Sequence, residues 1–561
     1  MRGPKPRSSH TRNARRASTS AQAWSARRRT RYSSARARGR EFGVGTRRGR
    51  RPRFGRVNAA DARRHLEDAR VLATADELAK STAAEGEALR STVLRGSAWS
   101  IGAYAGSQAL RFGGNLLLTR LLLPEAFGAM ALVTALLQGL QLFSDIGIGP
   151  SIIHSPRGND REFLNTAWTL QVLRGALLWL AACAAAVPFA ALYDAPLFAW
   201  ILPISGLSAL IAGFNSTRLF TMYRNVDLGR VSALEFGSQA AGIVVMLAWT
   251  ALDRSIWALV AGGLAGSLAR LVLSHTLLDG VSNRLRWDKS ALGPILHFGR
   301  WIFISTLLTF LVEQSDRLIF GKLVPIAVLG IYSVAWMIAM LPAIALSRVG
   351  SSVFFPVLSR VANAGGDLAA VFRRVRRPWL ILGGWMIAGL GGGGSAAVQL
   401  LYDERYAQAG WIVQVLALGS WFAILEATNG AALLARGQAK WTAASSLGKL
   451  AGMIALIPLG FHWLGFPGAV LGLAVSDALK YAVSAFAIGR VQLRTWPDDL
   501  RLSAWVGASA ALGWVLSEWV QRAGGPRLLV AATVFVVVTL AWLPLGVPLL
   551  NPRSAPARAG A

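Results

Sequence analysis

Tyr104, Gln108, Arg111 and Asn115 follow one another at spacings of four, three and four residues in an otherwise apolar stretch. Such spacing sets all four along one face of a helix. An ionised side chain in an apolar span costs about 2.5–3.5 kcal/mol on insertion scales, so it faces a cavity or a partner. Arg111 has no acid on its own stretch. Its planar fork stays ionised and can bond two phosphate oxygens at once.

The pattern recurs downstream. Thr306, Thr309, Glu313 and Asp316 share a face, with Arg317 beside them. Thr442, Ser446 and Lys449 make a further row, and Asp477, Lys480 and Ser484 another, while Arg174 and Arg270 stand singly in apolar runs. The candidate ligand-binding set is Gln108, Arg111, Asn115, Arg174, Arg270, Lys449 and Lys480, forming a cationic cavity for an anionic, phosphate-like group. Glu313, Asp316, Arg317 and Asp477 are the candidates for gating or ion coupling. The competing reading pairs Asp316 with Arg317 and Asp477 with Lys480, as charges that only fix helix packing. Asp145, Glu235 and Arg300 fall near the ends of apolar runs, where interfacial charge is ordinary.

Other chemistries lack their residues. The chain has no G-x-x-x-x-G-K-[ST] loop, so ATP does not drive it directly. No Cys/His cluster suggests a metal, no cofactor is expected, and the single Cys183 excludes a disulfide framework.

The elements that must carry these side chains are membrane helices. Of 561 residues, 53% are hydrophobic and 16% charged, with mean hydropathy +0.43; a soluble chain carries about a quarter charged residues. Apolar runs of about eighteen residues or more read as spans. About fourteen follow Ser97: six between 97 and 278, six between 297 and 489, and two near 501–519 and 528–547. The expected fold is an all-α integral membrane protein of two six-helix lobes plus a C-terminal helix pair. Its segments are a tail and polar helix (1–95), an N-terminal lobe (96–278), a cytoplasmic linker (279–296), a C-terminal lobe (297–489) and the last pair (500–547).

Charge gives the orientation. Residues 1–56 hold 19 bases and one acid, Glu41, so +18 of the formal +31 lies there and +13 in the body. Connections after even-numbered spans, with the C-terminus, carry 20 bases, and those after odd-numbered spans carry six. The positive-inside rule then puts both termini in the cytoplasm. That asymmetry accounts for much of the body's charge without nucleic acid. The Arg/Ser/Gly-rich tail is too polar to fold. It is either a disordered arm that adheres to anionic headgroups, at about 1 kcal/mol per base, or upstream of a true start at a valine codon such as Val57, Val71 or Val93, since the next methionine is Met130.

The halves resemble one another. Thr119–Gly128 and Gly321–Gly330 each run from a base and a leucine through a proline to a glycine before an apolar span. Two similar bundles facing a midplane cavity are a transporter arrangement. The glycines between Gly383 and Gly394 are either a hinge or a close helix contact, the latter being favoured. Tryptophans near span ends read as interfacial belts.

The same stretches carry a family resemblance. Leu118–Gly128 and Phe143–Ile153 resemble the opening of the polysaccharide-exporter flippases. Phe298–Trp301, Gln314–Gly321, Leu329–Ala335 and Val353–Arg360 are similar to their second-half signatures. The resemblance, over roughly residues 95–490, is to the colanic-acid and O-antigen exporter branch of the multidrug/oligosaccharidyl-lipid/polysaccharide (MOP) flippase superfamily. It implies two lobes, alternating access, and a polyprenyl-diphosphate-linked oligosaccharide moved across the bacterial inner membrane for polysaccharide or lipopolysaccharide biosynthesis. Membrane lipids and a polymerase or glycosyltransferases would be its partners, and the last two spans would form a groove for the polyprenyl tail. Short outside connections argue against an enzyme. A cation-coupled drug or metabolite exporter is the nearest rival, which paired intramembrane acids without cavity arginines would favour. A non-transporting scaffold subunit is the other, and would not need polar faces within so many spans.

Overall fold

The computed structural model describes residue 102 and residues 106–550, except 145–146, 226 and 494. The tail and polar helix of 1–95, together with Tyr104 and Asp145, lie outside the described residues, as does the side chain of Arg300.

Among the described residues every regular element is helical. In a lipid medium the backbone must satisfy its own hydrogen bonds, which a helix does within one segment. The first half comprises α1 (106–121), α2 (Pro124–Phe143), the short α3 (Ile148–His154), α4 (Arg161–Leu192), α5 (Phe198–Gly213), the short α6 (Arg218–Arg224), α7 (Leu228–Leu252) and α8 (Trp257–Thr276). The second comprises α9 (Lys289–Leu323), α10 (Ile326–Asn363), α11 (Leu368–Leu401), α12 (Ala409–Ala435) and α13 (Ala439–Arg490), then α14 (Trp496–Arg522) and α15 (Arg527–Leu550). Proline opens α2 at its first turn, where a missing N–H costs nothing. Asp160 and Asp367 cap α4 and α11 by accepting from the backbone N–H of Glu162 and Ala370.

Nine of the described helices are long and apolar enough to cross a membrane, or up to ten if α5 and α6, bent by 60°, count as one span. The 52-residue α13 is not one rod. Gly465, at φ 63° and ψ −149°, breaks it, and the chain doubles back. Gly452 then meets Ser476, and Gly472 meets the backbone of Leu456.

The two stretches that resemble each other in sequence pack against one another. A Cβ on Gly128 would collide with the carbonyl of Ile326, and one on Gly330 with the carbonyl of Pro124. The glycines let α2 and α10 cross at backbone contact, each lying on the other's proline turn. Leu122, Leu132, Phe320, Tyr332, Tyr406 and Met453 fill the same end in one buried cluster from both halves. Polar ties reinforce it: Arg120 Nη2 donates to the Leu401 carbonyl (3.2 Å), Arg405 Nη2 to the Arg120 carbonyl (2.9 Å) and the Tyr193 hydroxyl to the Leu318 carbonyl (3.1 Å). Lys322 reaches the Leu192 carbonyl and Asp194. The end that carries few bases is therefore sealed.

The glycine run in α11 is a contact surface. Gly384 lies under the Trp542 ring, Gly392 against Gly513 of α14, and Gly393 against Val534 of α15. The last two helices dock there.

Candidate functional site

Charged side chains of the second half converge from α9, α12 and the two arms of α13. Lys449 and Asp477 stand opposite each other on the two arms of α13, with Nζ 2.6 Å from Oδ1. Lys480, one turn beyond Asp477, reaches Glu426 of α12 at 3.0 Å, and Ser445 also donates to that carboxylate (3.3 Å). Both acids are at least nine-tenths buried, and the lysines are 18% and 22% exposed. Glu313 of α9 is exposed and lies within electrostatic reach of Lys449, Lys480 and Arg317.

Asp316 is buried and accepts from the hydroxyl of Tyr332, itself fully buried in α10. Its other oxygen, Oδ1, is buried with no partner among the described residues. Arg317, set about 100° round the helix from Asp316, turns elsewhere. It stacks over Trp336 at 4.4 Å and donates to Gln314 Oε1 at 2.7 Å. Gln314 in turn donates to Gln138 of α2 at 2.7 Å, so this chain of polar groups crosses between the halves. The pairings Asp316–Arg317 and Asp477–Lys480 do not form. Asp316 and Arg317 diverge round α9, while Asp477 and Lys480, on one face of α13, pair instead with Lys449 of the opposing arm and Glu426 of α12.

The first half separates its candidates. Arg111 is exposed on α1; among the described residues it has no partner, and neither do the buried Gln108 Oε1 and Asn115 Oδ1. Arg174 is held by Ser144 Oγ (2.9 Å) and the Gln141 carbonyl (2.6 Å). Arg270 sits 3.8 Å from Glu235. Arg174 and Arg270 line one cavity with no residue of the second half in its wall. No described contact joins Arg111 to the lysine–carboxylate cluster.

Two groups of interacting residues went unnoticed in the sequence. Glu426 is a solitary acid inside an apolar run, and the reasoning that singled out Glu313 applied to it equally. Arg376 reads as a connection base, yet α11 extends to it and buries it to 3%. It donates through Nη1 and Nη2 to both oxygens of Asp499 (2.5 and 3.1 Å) and through Nε to Thr428 (2.7 Å). The hydroxyls of Tyr481 and Thr495 complete the Asp499 shell. Four helices meet at this one ion pair.

An all-helical bundle with its halves crossing at matched glycines and carboxylate–lysine pairs inside apolar spans is the architecture of a multi-pass membrane transporter. A family model described as polysaccharide biosynthesis protein matches residues 117–411, and the chain belongs to that family. It is 22% identical over 305 residues to the teichuronic acid biosynthesis protein TuaB of Bacillus subtilis (strain 168), covering 53% of this chain and 62% of that one. To the lipopolysaccharide biosynthesis protein WzxC of Escherichia coli (strain K12) it is 20% identical over 424 residues, covering 74% and 85%. The succinoglycan biosynthesis transport protein ExoT of Rhizobium meliloti (strain 1021) is 23% identical over 330 residues, covering 58% and 66%. The chain thus spans a little under two thirds of TuaB and ExoT and most of WzxC. Among solved structures, lipid II flippase MurJ in an inward closed conformation superposes with TM-score 0.57 at 13% identity, over 81% of this chain and 94% of that one. An inward-facing MATE family multidrug resistance transporter of the MOP superfamily gives 0.57 at 14%, over 69% and 94%. The chain shares the fold of these two structures.

Proposed function

We propose that this protein is a flippase, and not an enzyme, that carries polyprenyl-diphosphate-linked oligosaccharide across the bacterial cytoplasmic membrane by alternating access. Splitting α13 at Gly465 and adding α1, α5, α9 and α14 brings the nine apolar helices to fourteen, in two six-helix lobes with α14 and α15 appended and both termini in the cytoplasm. The sealed end is the outer one. The diphosphate enters from the other side and meets Arg111, with Gln108 and Asn115 beside it, and Lys449 and Lys480 across from it. Each lysine already holds a carboxylate, so the arriving anion competes with Asp477 and Glu426 for the two ammonium groups. The glycan fills the lumen and the polyprenyl tail stays in lipid, along α14 and α15. A polysaccharide polymerase or glycosyltransferases supply or receive the substrate.

The observation that carries this reading is the set of paired charges, Lys449–Asp477 and Lys480–Glu426, inside apolar helices; such groups are retained where a polar substrate passes. The unpartnered Asp316 Oδ1 favours one addition, that Asp316 takes up a proton or cation during the cycle. The test is reconstitution in vesicles with a polyprenyl-diphosphate-linked sugar on one face. Protein-dependent appearance of the sugar on the opposite face is expected, and a rate equal to that of empty vesicles would refute the function.

A further inference from the structure

A cavity of about 450 Å³ opens inside the first half, walled by α2 to α6 and α8. It is separate from the proposed route between the halves, and three of its groups are poised for a ligand. Gln171 spends its amide N–H groups on the carbonyls of Ala212, Gly213 and Asn215. Those three carbonyls fix the orientation of the amide, so Oε1 is an acceptor, buried and without a partner among the described residues. Asn215 Oδ1 is in the same condition. Both want a donor such as a hydroxyl. The third group is Arg270, more than a third exposed, whose hold on Glu235 is long at 3.8 Å and shared with the Tyr223 hydroxyl. An exposed pair of that length is weak, and the guanidinium can turn to a phosphate.

A second, apolar cavity lies on the same helices α4, α5 and α8, lined by Trp168, Phe214, Leu271 and Val272. Two acceptors, a cation and an apolar groove beside them match an amphiphile with a hydroxylated phosphodiester head. Both cavities lie toward the side where α6 and the basic connections stand, the depth of a leaflet rich in such heads.

We infer that this pocket binds a resident phosphatidylglycerol-type lipid, with its phosphate on Arg270, its glycerol hydroxyls on Gln171 and Asn215, and an acyl chain along Trp168 and Phe214.

Native mass spectrometry of the full-length protein, titrated with defined phospholipids, tests this. Phosphatidylglycerol should be retained at least fivefold better than phosphatidylethanolamine, with phosphatidic acid between them because it has the charge and lacks the glycerol. Arg270→Gln should lower phosphatidylglycerol retention to the phosphatidylethanolamine level, and Arg270→Lys should keep part of it. Asn215→Ala should bring phosphatidylglycerol down to phosphatidic acid. Equal retention of the lipids by the unmodified protein would mean a hydrated cavity and overturn the proposal. So would an equal loss in Arg284→Gln, an exposed base outside the pocket, since that reports general surface charge. One-for-one displacement by a polyprenyl diphosphate would overturn it too, by handing the pocket to the transported substrate.

Discussion

Lys449, Asp477, Lys480 and Glu426 form two ion pairs whose members cannot be removed singly without leaving a buried charge. Truncating one partner of such a pair costs about 3–5 kcal/mol, whereas replacing both by apolar groups can be nearly neutral. Lys480→Met should therefore lower thermal stability in detergent more than Lys480→Met combined with Glu426→Gln, and both should fail to transport. Full transport by the double variant would remove these lysines from the route. Arg111 differs, because it has no described partner to strand. Arg111→Gln should leave folding intact and abolish translocation, and Arg111→Lys should retain part of it, since the charge survives and the bidentate fork does not. Normal transport by Arg111→Gln would end the cationic-site assignment. Asp499 is half of a more deeply buried pair: Asp499→Ala strands Arg376 at 3% exposure and should cost about 3–5 kcal/mol, read as a large drop in melting temperature.

The crossing of α2 and α10 is a joint between elements, and its two glycines have no room for a side chain. Overpacking of this kind costs about 1–3 kcal/mol. Gly330→Leu should force the sealed end apart and raise thiol labelling of a cysteine at the buried Tyr406 position severalfold, in a Cys183→Ala background. Unchanged labelling would show that the crossing does not hold that end shut. The neighbouring loop adds a pH dependence. Arg405, by hydrogen bonding, holds the Asp403 carboxyl below the ordinary carboxylate range, and the same guanidinium ties to the Arg120 carbonyl across the halves. The carboxylate's contribution is complete above the unfolded value and fades as pH falls through the lowered one, so labelling should rise only in strong acid. The pair is about a third exposed, so the effect is small.

For the whole molecule the decisive quantities are side and energy source. Cysteine labelling at Ser290 and Asp403 should report opposite faces of the membrane; access to both from one face would refute the orientation. A diphosphate carries about two negative charges, and each is worth about 2.3 kcal/mol per 100 mV. A potential negative inside thus draws the headgroup outward by about 4–5 kcal/mol. A valinomycin-imposed potassium potential should accelerate translocation with no proton gradient. If only a proton or sodium gradient drives it, Asp316, with its unpartnered oxygen, becomes the coupling group and the electrophoretic account fails.

How much of this was legible in the chain depends on range. Helix type, the apolar runs, the glycine contacts of α11 and the matched turns at Pro124 and Pro325 are local or periodic properties, and the lipid medium leaves a buried backbone few alternatives to a helix. The same rule made Lys449, Asp477, Lys480 and Asp316 visible as costly charges. Their partners were not visible. Asp316 and Arg317, adjacent on one helix, point apart, and Asp316 found Tyr332; Asp477 and Lys480 share a face, yet each found its partner on another segment, Lys449 across the reversal at Gly465 and Glu426 of α12. Arg376 looked like an interfacial base because its partner, Asp499, lies 123 residues away. By itself the sequence determined which side chains must not face lipid. Only the tertiary structure decided which of them face each other, because pairing depends on how separate helices pack, and helical periodicity carries no record of that.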